Sequence, residues 1–533
     1  MSAGSKAIFF EDEHLLVIHK PAGVNTHAPS PYAGEGIYDW LRHREPRWAT
    51  LSILHRLDKE TSGVMVFGKT PEANRALTRQ FTEHSIRKSY LLVTDRLVPR
   101  EEMVVVSYIA RAGAKYVSRS RGEISDRAET RLKVVDVQNG LTTVRAEPIT
   151  GRTHQIRVHA AENGFPIRGD VLYGGTAAER LYLHAEELRL QHPANSQAMV
   201  FRIEADFERE SSKMLRELLV DPKETDAYRL MHGAADRFPG LYVDKIGEFL
   251  LAQSSEQLGA EEGKAVENLG QGTDGVRGVY HKHLSRHLRQ SNVKQTGPQH
   301  RSGEAAPDRF SIRENGILYE VSFSEGYSVG LFFDQRDNRR RMLTGHIAAG
   351  FPMFEKDPKQ AAVLNTFAYT CGFSVCAAKS GARVTSLDLS KKYLEWGKRN
   401  FLLNQLDPSE HDFIYGDVFD WLRRMTKKGR LFDAVVLDPP TFSHSKEHGT
   451  FQAERDFGKL VTAAIAVLGK GGILLASSNT STLEPEKFVQ SIEQAIKGSG
   501  RNILQSHYVP QPLDFRITRE EPAYLKTLWL KIQ

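Results

Sequence analysis

Three short stretches in the first third of the chain hold side chains that could do acid–base or nucleophilic chemistry. His55-Arg56-Leu57-Asp58-Lys59-Glu60-Thr61-Ser62-Gly63 sets a carboxylate between two cations and follows it with Thr-Ser-Gly, the composition of a polar loop holding one acid. Such an acid can act as base or nucleophile. Arg87-Lys88-Ser89-Tyr90 opens a strand pattern, and Gly151-Arg152-Thr153-His154-Gln155-Ile156-Arg157-Val158-His159 reads as a basic strand. Each has an ordinary explanation alone. An Asp beside an Arg is usually a surface pair of little energetic worth. A strand Tyr is usually half-buried packing, and a basic strand is usually a solvated face.

Together, in this order and spacing, the three stretches resemble the RluA-type pseudouridine synthases. Further matches are Glu11-Asp12-Glu13, Lys20-Pro21-Ala22-Gly23, Gly164-Phe165-Pro166-Ile167 with Gly169-Asp170, and Leu183-His184-Ala185 through His192-Pro193. The resemblance covers nearly 200 residues, and no S4-like RNA-binding segment is read ahead of it. It implies Asp58 as the catalytic acid, Tyr90 as the ring that stacks on uracil and shares in removing its C5 proton, and Arg157 as the cation paired with Asp58. Arg157 would keep Asp58 ionised and fix its direction through paired hydrogen bonds. The target uridine must leave its stack to reach Asp58. Arg56, Lys59, Lys88 and Arg152 then become candidates for the RNA backbone.

A second set of chemical residues lies in the last third. Leu364-Asn365-Thr366-Phe367-Ala368-Tyr369-Thr370-Cys371-Gly372-Phe373-Ser374 joins a strand pattern to a helix pattern, a place where backbone can approach a ligand. Asp388, 23 residues after Asn365, stands where an acid binds a ribose diol in such a sheet. Asp417 follows the next strand, where it could meet an adenine amino group. Asp438-Pro439-Pro440-Thr441-Phe442-Ser443 ends a later strand and implies a rigid loop presenting an acid to a base. One glycine in the first loop is a weak fingerprint, and a generic βαβ unit would explain it equally well.

Together these stretches look like a class I S-adenosylmethionine-dependent methyltransferase, nearest the bacterial 23S rRNA enzymes RlmI and RlmK. Phe333-Asp334-Gln335-Arg336-Asp337-Asn338-Arg339 matches their opening segment, Asp438–Ser443 with Ser445-Lys446 is nearer RlmK, and Arg229-Leu230 through Phe238–Asp244 resembles the central domain of RlmI. The resemblance spans roughly residues 225–533. It implies cofactor contacts from Asn365, Thr366, Phe367, Tyr369, Gly372, Asp388, Leu389, Asp417, Val418, Asp438, Pro439 and Arg336, with Pro440 on the RNA side. One departure matters. Methylation at a pyrimidine C5 needs a cysteine thiolate, and RlmI-type enzymes place it after a late strand, where this chain reads Ala476-Ser477-Ser478-Asn479-Thr480. Transfer to a base nitrogen such as guanine N7 is therefore expected.

The elements that must position these residues follow from the pattern. Residues 1–205 read as an α+β domain of short alternating runs, with a helix at Pro71, Ala73, Ala76, Leu77 and Phe81. Residues 206–305 read as a small central α/β domain, its stretch 290–309 continuing as a loop or linker. Residues 306–533 alternate strands with helices, as a Rossmann-like doubly wound sheet does. The chain of 533 residues is long enough for several domains and has a net charge of +6, which permits a polyanionic partner without demanding one. No apolar run reaches membrane-span length. Two cysteines, Cys371 and Cys376, exclude a disulfide framework or a four-sulfur zinc site. The cluster His281, His283 and His287, with Lys282, Arg286 and Arg289, reads as an exposed basic segment, and no metal site is expected. These features predict a cytoplasmic, bifunctional enzyme acting on RNA, ribosomal RNA first and transfer RNA second. The competing reading is a non-catalytic ribosome-assembly factor that keeps both folds as scaffolds.

Overall fold

The computed structural model describes residues 8–284, 297–325, 328–445 and 449–533. His287, Arg286, Arg289 and Lys446 lie outside the described residues. The chain forms two compact units. The first comprises residues 1–27, 36–40 and 50–219, and the second 28–35, 41–49 and 220–533.

The first unit is built on an 11-stranded mixed sheet. At its centre Ser62–Gly68 runs parallel to Leu183–Gln191, which pairs antiparallel with Arg87–Thr94. Seven consecutive residues of Ser62–Gly68 are buried, so this strand cannot show the polar–apolar alternation of a surface strand. The helix Pro71–Thr82 starts where Thr70 Oγ1 accepts the Ala73 amide and Pro71 fills the first position. The basic run expected as a strand is instead the helix Gln155–Glu162. Gln155 through Ala160 are all buried, so its alternation of residue types marks no solvent face. His154, in the left-handed region at φ 58°, turns the chain into this helix.

In the second unit the central strands Ala227–His232, Leu241–Ile246, Phe249–Ser254, Gly278–His283 and Gln299–Gly303 form one sheet with the helix Ala260–Gly272. The strand at Gln299–Gly303 falls inside the stretch expected as a linker. Its side chains are exposed, and its backbone is held by pairing with Gly278–His283. Lys282 is buried rather than part of an exposed basic segment, and His281 Nε2 lies 2.8 Å from Ser254 Oγ. Ala227, Phe249 and Tyr280 of this sheet share one apolar core with the hairpin Phe310–Val321 and the large sheet beyond it. That continuity is why residues 220–305 do not separate as a compact unit of their own.

The large sheet has seven strands in the order Asp412–Tyr415, Arg383–Asp388, Ala362–Thr366, Phe432–Leu437, Leu468–Ser478, Lys526–Ile532, Ile503–Pro510. The first five are parallel. Alternate residues feed two cores. Val363, Val384 and Val436 pack on one face, and Leu364, Leu387 and Leu437 on the other. The strand order reverses between Ala362–Thr366 and Phe432–Leu437, so the loops leaving these two strands open a crevice at the carboxyl edge.

Two histidines of the first unit are sealed in its core. His159 lies between Ser107 Oγ and Thr130 Oγ1, at 3.0 and 2.9 Å. His184 lies between Ser62 Oγ and the Ile203 carbonyl, at 2.8 and 2.9 Å. Burial pushes both imidazoles down to about 4. Each therefore stays neutral in the folded chain while its unfolded counterpart takes a proton below about pH 6.5. Their stabilising contribution is complete above that pH and is lost as pH falls towards 4, by up to roughly 3 kcal/mol each. Urea unfolding at pH 7.5 and pH 4.5 should show this loss, and His159→Gln should remove about half of it. An unchanged pH slope in the variant would show that His159 is not one of its sources.

Candidate active sites

The Asp58 loop is pinned by the turn before it. Lys20 is fully buried, and its Nζ donates to the carbonyls of Pro21, Val24 and Lys59 at 2.9, 2.8 and 3.2 Å. The Gly23 amide donates to Lys59 O, and Thr26 Oγ1 to Leu57 O. The loop then enters the central strand at Gly63. A Cβ there would stand 2.2 Å from Ala185 O, and φ is +129°, so glycine is required.

Asp58, half-buried, faces Arg157 Nη1 at 3.6 Å and His154 Nε2 at 3.9 Å. The sequence led us to expect paired hydrogen bonds from Arg157 to Asp58. The structure gives those bonds to Asp170. Arg157 Nε and Nη2 donate to its two carboxylate oxygens at 2.7 and 2.8 Å, inside the core. Burial works against the Arg157 charge, but Asp170 and then Asp58 more than offset it. Tyr173 lies under the guanidinium at 5.0 Å, and its hydroxyl is 2.8 Å from His154 Nδ1. Asp170, His154, Tyr173 and Lys20 are thus parts of the site that the sequence left without roles.

Tyr90 stands in register with Ala185, the residue paired with Gly63. Burial, then the Asp58 charge, push its phenol well above the usual range. A neutral phenol can stack and donate, but it is a poor proton acceptor. Among the cations expected on RNA, Arg56, Lys59 and Arg152 are exposed. Lys88 is half-buried, and burial pushes its ammonium down.

In the second unit the loop after Ala362–Thr366 carries three left-handed residues that are not glycine, Phe367, Tyr369 and Cys371, at φ 53°, 49° and 65°. Asp388 holds this loop. Its Oδ2 accepts the Tyr369 amide and its Oδ1 the Ser390 amide, both at 2.8 Å. Burial pushes its carboxyl up against those two bonds. Leu389 beside it is exposed, and Gly372 opens the following helix, Gly372–Lys379.

Several expected cofactor contacts have other work. Arg336 is buried in a bidentate pair with Asp514, at 2.8 and 2.7 Å, so it does not reach into the crevice. The Asn365 side chain donates to Ser374 Oγ inside the core, and Thr366 Oγ1 to Val436 O across the switch point. Val418 is a core residue. Asp417 caps the helix Val418–Lys427, its Oδ1 accepting from Phe419 and Asp420. Only the backbone of Asn365, Thr366 and Val418 is left to approach a ligand.

The opposite lip is Asp438-Pro439-Pro440, followed by the hairpin Phe442–Ser445 and Gly449–Gln452 where a plain loop was expected. Pro440 is exposed and Pro439 buried. Asp438 accepts from Gln335 Nε2 at 3.2 Å, and the same amide donates to Ser477 Oγ at 2.8 Å. Burial, then the charge of Asp334, push the Asp438 carboxyl up to about 6. Asp334 in turn accepts the Tyr524 hydroxyl at 3.0 Å. Cys371 and Cys376 are both buried, and burial pushes each thiol up to about 12. Burial thus favours the neutral thiol at both positions.

Residues 14–162 match the family model of RNA pseudouridylate synthases, and residues 235–509 that of S-adenosylmethionine-dependent methyltransferases. Ribosomal RNA large subunit methyltransferase I of Cronobacter sakazakii is 30% identical over 326 residues, 60% of this chain and 77% of that protein. Methyltransferase K/L of a Psychrobacter species is 42% identical over 177 residues, 32% of this chain and 20% of that protein. SMU.776, described as a putative methyltransferase and solved as a complex with SAH, superposes with a TM-score of 0.52 at 30% identity, covering 60% of this chain and 79% of that one.

If Asp170 is what lets Arg157 stay charged, Asp170→Asn should destabilise the first unit by about 3–5 kcal/mol, the cost of orphaning a buried charge. The double variant with Arg157→Met should recover much of that in a double-mutant cycle. Additive losses would show that the pair is not coupled.

Proposed function

Given that the chain belongs to the S-adenosylmethionine-dependent methyltransferase family and carries an RNA pseudouridylate synthase domain ahead of it, we propose that it makes two modifications in ribosomal RNA. One is uridine to pseudouridine at Asp58, and the other is methylation of a base nitrogen, guanine N7 in our reading. The observation that carries the first half is the Asp58 carboxylate 3.6 Å from a buried, Asp170-held Arg157, with Tyr90 beside it.

Isomerisation breaks the glycosidic C–N bond, turns the uracil, joins C1′ to C5, releases the C5 proton and leaves N1 carrying a proton in its place. The product has the atoms of the substrate, so no redox group is called for. Asp58 serves as nucleophile or base, and Arg157 steadies its charge. The neutral Tyr90 stacks on the flipped uracil. Exposed Arg56, Lys59 and Arg152 suit phosphate contacts, while half-buried Lys88 suits them less.

In the second site S-adenosylmethionine supplies the methyl group. Asp388 orients the Phe367–Tyr369 loop and offers the acid for the ribose diol, with Leu389 exposed beside it. A C5 transfer needs a thiolate, and both cysteines are buried. The stretch 476–480, where RlmI-type enzymes place that cysteine, holds none, and its Asn479 accepts from Thr441 Oγ1 at 3.0 Å. Guanine N7 needs no covalent partner, because its lone pair is free and the enzyme has only to position it. Asp438, with Gln335 behind it, can accept from an N–H on the base edge.

Asp58→Asn should abolish pseudouridine formation and leave RNA affinity within about threefold, since it removes only the reacting group. Persistent turnover would remove Asp58 from its role. Asp388→Ala should weaken S-adenosylmethionine binding by about 10- to 100-fold, as loss of charge-assisted hydrogen bonds does. Calorimetry giving an unchanged Kd would refute the ribose assignment. Nucleoside mass spectrometry of ribosomal RNA treated with the full chain should yield 7-methylguanosine; 5-methylcytidine in its place would overturn the choice of atom.

A further inference from the structure

A histidine far along the chain has a nitrogen that nothing in its own sheet satisfies. His507 lies on Ile503–Pro510, the outer strand of the seven-stranded sheet, and its Nε2 is buried without a hydrogen-bond partner. Buried ring nitrogens are normally paired, so one left alone calls for a physical reason. Beside it stand two residues of the segments 28–35 and 41–49, which belong to the same unit. The His43 ring meets the His507 ring edge to face, with centroids 4.4 Å apart. His43 Nδ1 is 2.9 Å from Glu35 Oε1. One donor atom from each of Glu35, His43 and His507 lies within 4.8 Å of the other two, and among the described residues no other group of three His, Cys, Asp or Glu side chains meets that condition.

We infer that Glu35, His43 and His507 form a binding site for a divalent transition-metal ion of the zinc class. Two imidazoles and one carboxylate make a common three-ligand set for zinc, with water completing a tetrahedron. Zinc bonds of about 2.0–2.1 Å hold tetrahedral donor atoms about 3.4 Å apart. The three side chains need close by little more than about 1 Å to reach that spacing, a shift that small torsional adjustments within their present rotamers supply without moving the backbone. The ion takes the place of the hydrogen bond between His43 and Glu35, and gives the orphaned His507 nitrogen a partner.

Arg341 completes the surroundings. Its Nη2 is 3.2 Å from Glu35 Oε1 and its Nε donates to Ile347 O, so it holds the carboxylate as an outer-shell partner does. Its charge weakens cation binding without supplying a ligand. His346 is nearby, but its Nε2 already pairs with Arg42 O at 3.1 Å. The expected consequence of metal binding is structural, because the ion fastens residues 28–35 and 41–49 to the sheet's outer strand.

The test uses the untagged full chain, loaded with zinc sulfate, dialysed, and assayed for zinc by mass spectrometry. One zinc per chain is expected, with a higher unfolding temperature than the chelator-treated protein. His507→Ala and His43→Ala should each weaken zinc binding by more than the 10- to 100-fold that loss of an outer-shell partner gives. Cobalt substitution should give the visible absorption of a tetrahedral site, lost in both variants. If His507→Ala fails to fold, Glu35→Gln replaces it, and the same loss is expected. Zinc below stoichiometric amounts in the wild type, or retained at wild-type level in these variants, overturns the site.

Discussion

The first unit turns on a charge held where water cannot reach it. Arg157 sits on a buried helix, and an unpaired guanidinium there would cost several kcal/mol. Asp170 meets that cost with two short bonds to Nε and Nη2. Those bonds leave Nη1 facing Asp58 at 3.6 Å. The Gln155 bonds to Thr150 and Arg152 anchor the start of the helix that carries Arg157, and the Tyr173 ring lies under its guanidinium. Asp58 therefore meets a cation already set in place. A surface arginine would have to give up rotamer freedom to serve the same end.

The second unit solves a related problem with several pairs. Residues 333–339 carry polar side chains into the interior, and nearly all are spoken for. Arg336 pairs with Asp514, Arg339 with Glu314, and Asn338 bridges Thr527 and Trp529. Asn338 also donates to Gln335, and Gln335 reaches Asp438. The crevice acid is thus the last member of a buried chain that starts at the Trp529 indole. Breaking any link leaves a polar group unpaired, so the chain behaves as a unit.

How much of this was legible in the sequence depends on the kind of signal. The seven-stranded sheet showed itself because parallel strands buried on both faces read as unbroken apolar runs, such as Ala434–Leu437. Asp58, Arg157 and Tyr90 were legible from a resemblance across three stretches, and the structure does bring them together. The helix at Gln155–Glu162 was not legible, because a helix buried on every side has no polar face to set its period. Asp170 went without a role because nothing local distinguishes an acid that grips an arginine 13 residues away. Arg336, Asn365 and Thr366 were assigned to cofactor on their place in the chain. Burial, which sequence does not give directly, turned their side chains inward.

The cofactor loop shows why a weak glycine fingerprint need not mean a weak site. Phe367, Tyr369 and Cys371 adopt left-handed backbone that glycine would take at no cost. Each costs of order 1 kcal/mol or more, and such a conformation persists only where its surroundings over-determine it. Here the Tyr369 amide is held by Asp388, the Ala368 amide by Leu387 O, and the Thr370 hydroxyl by Gly330 O. The Tyr369 ring meets Tyr393 at 4.5 Å. A glycine-rich loop would take the same path with fewer ties, but it would also visit others. Bulky residues clamped at both ends keep one path, and Asp388, the acid proposed for the ribose, is itself one of the clamps. The proposed cofactor contact and the loop geometry therefore rest on the same carboxylate.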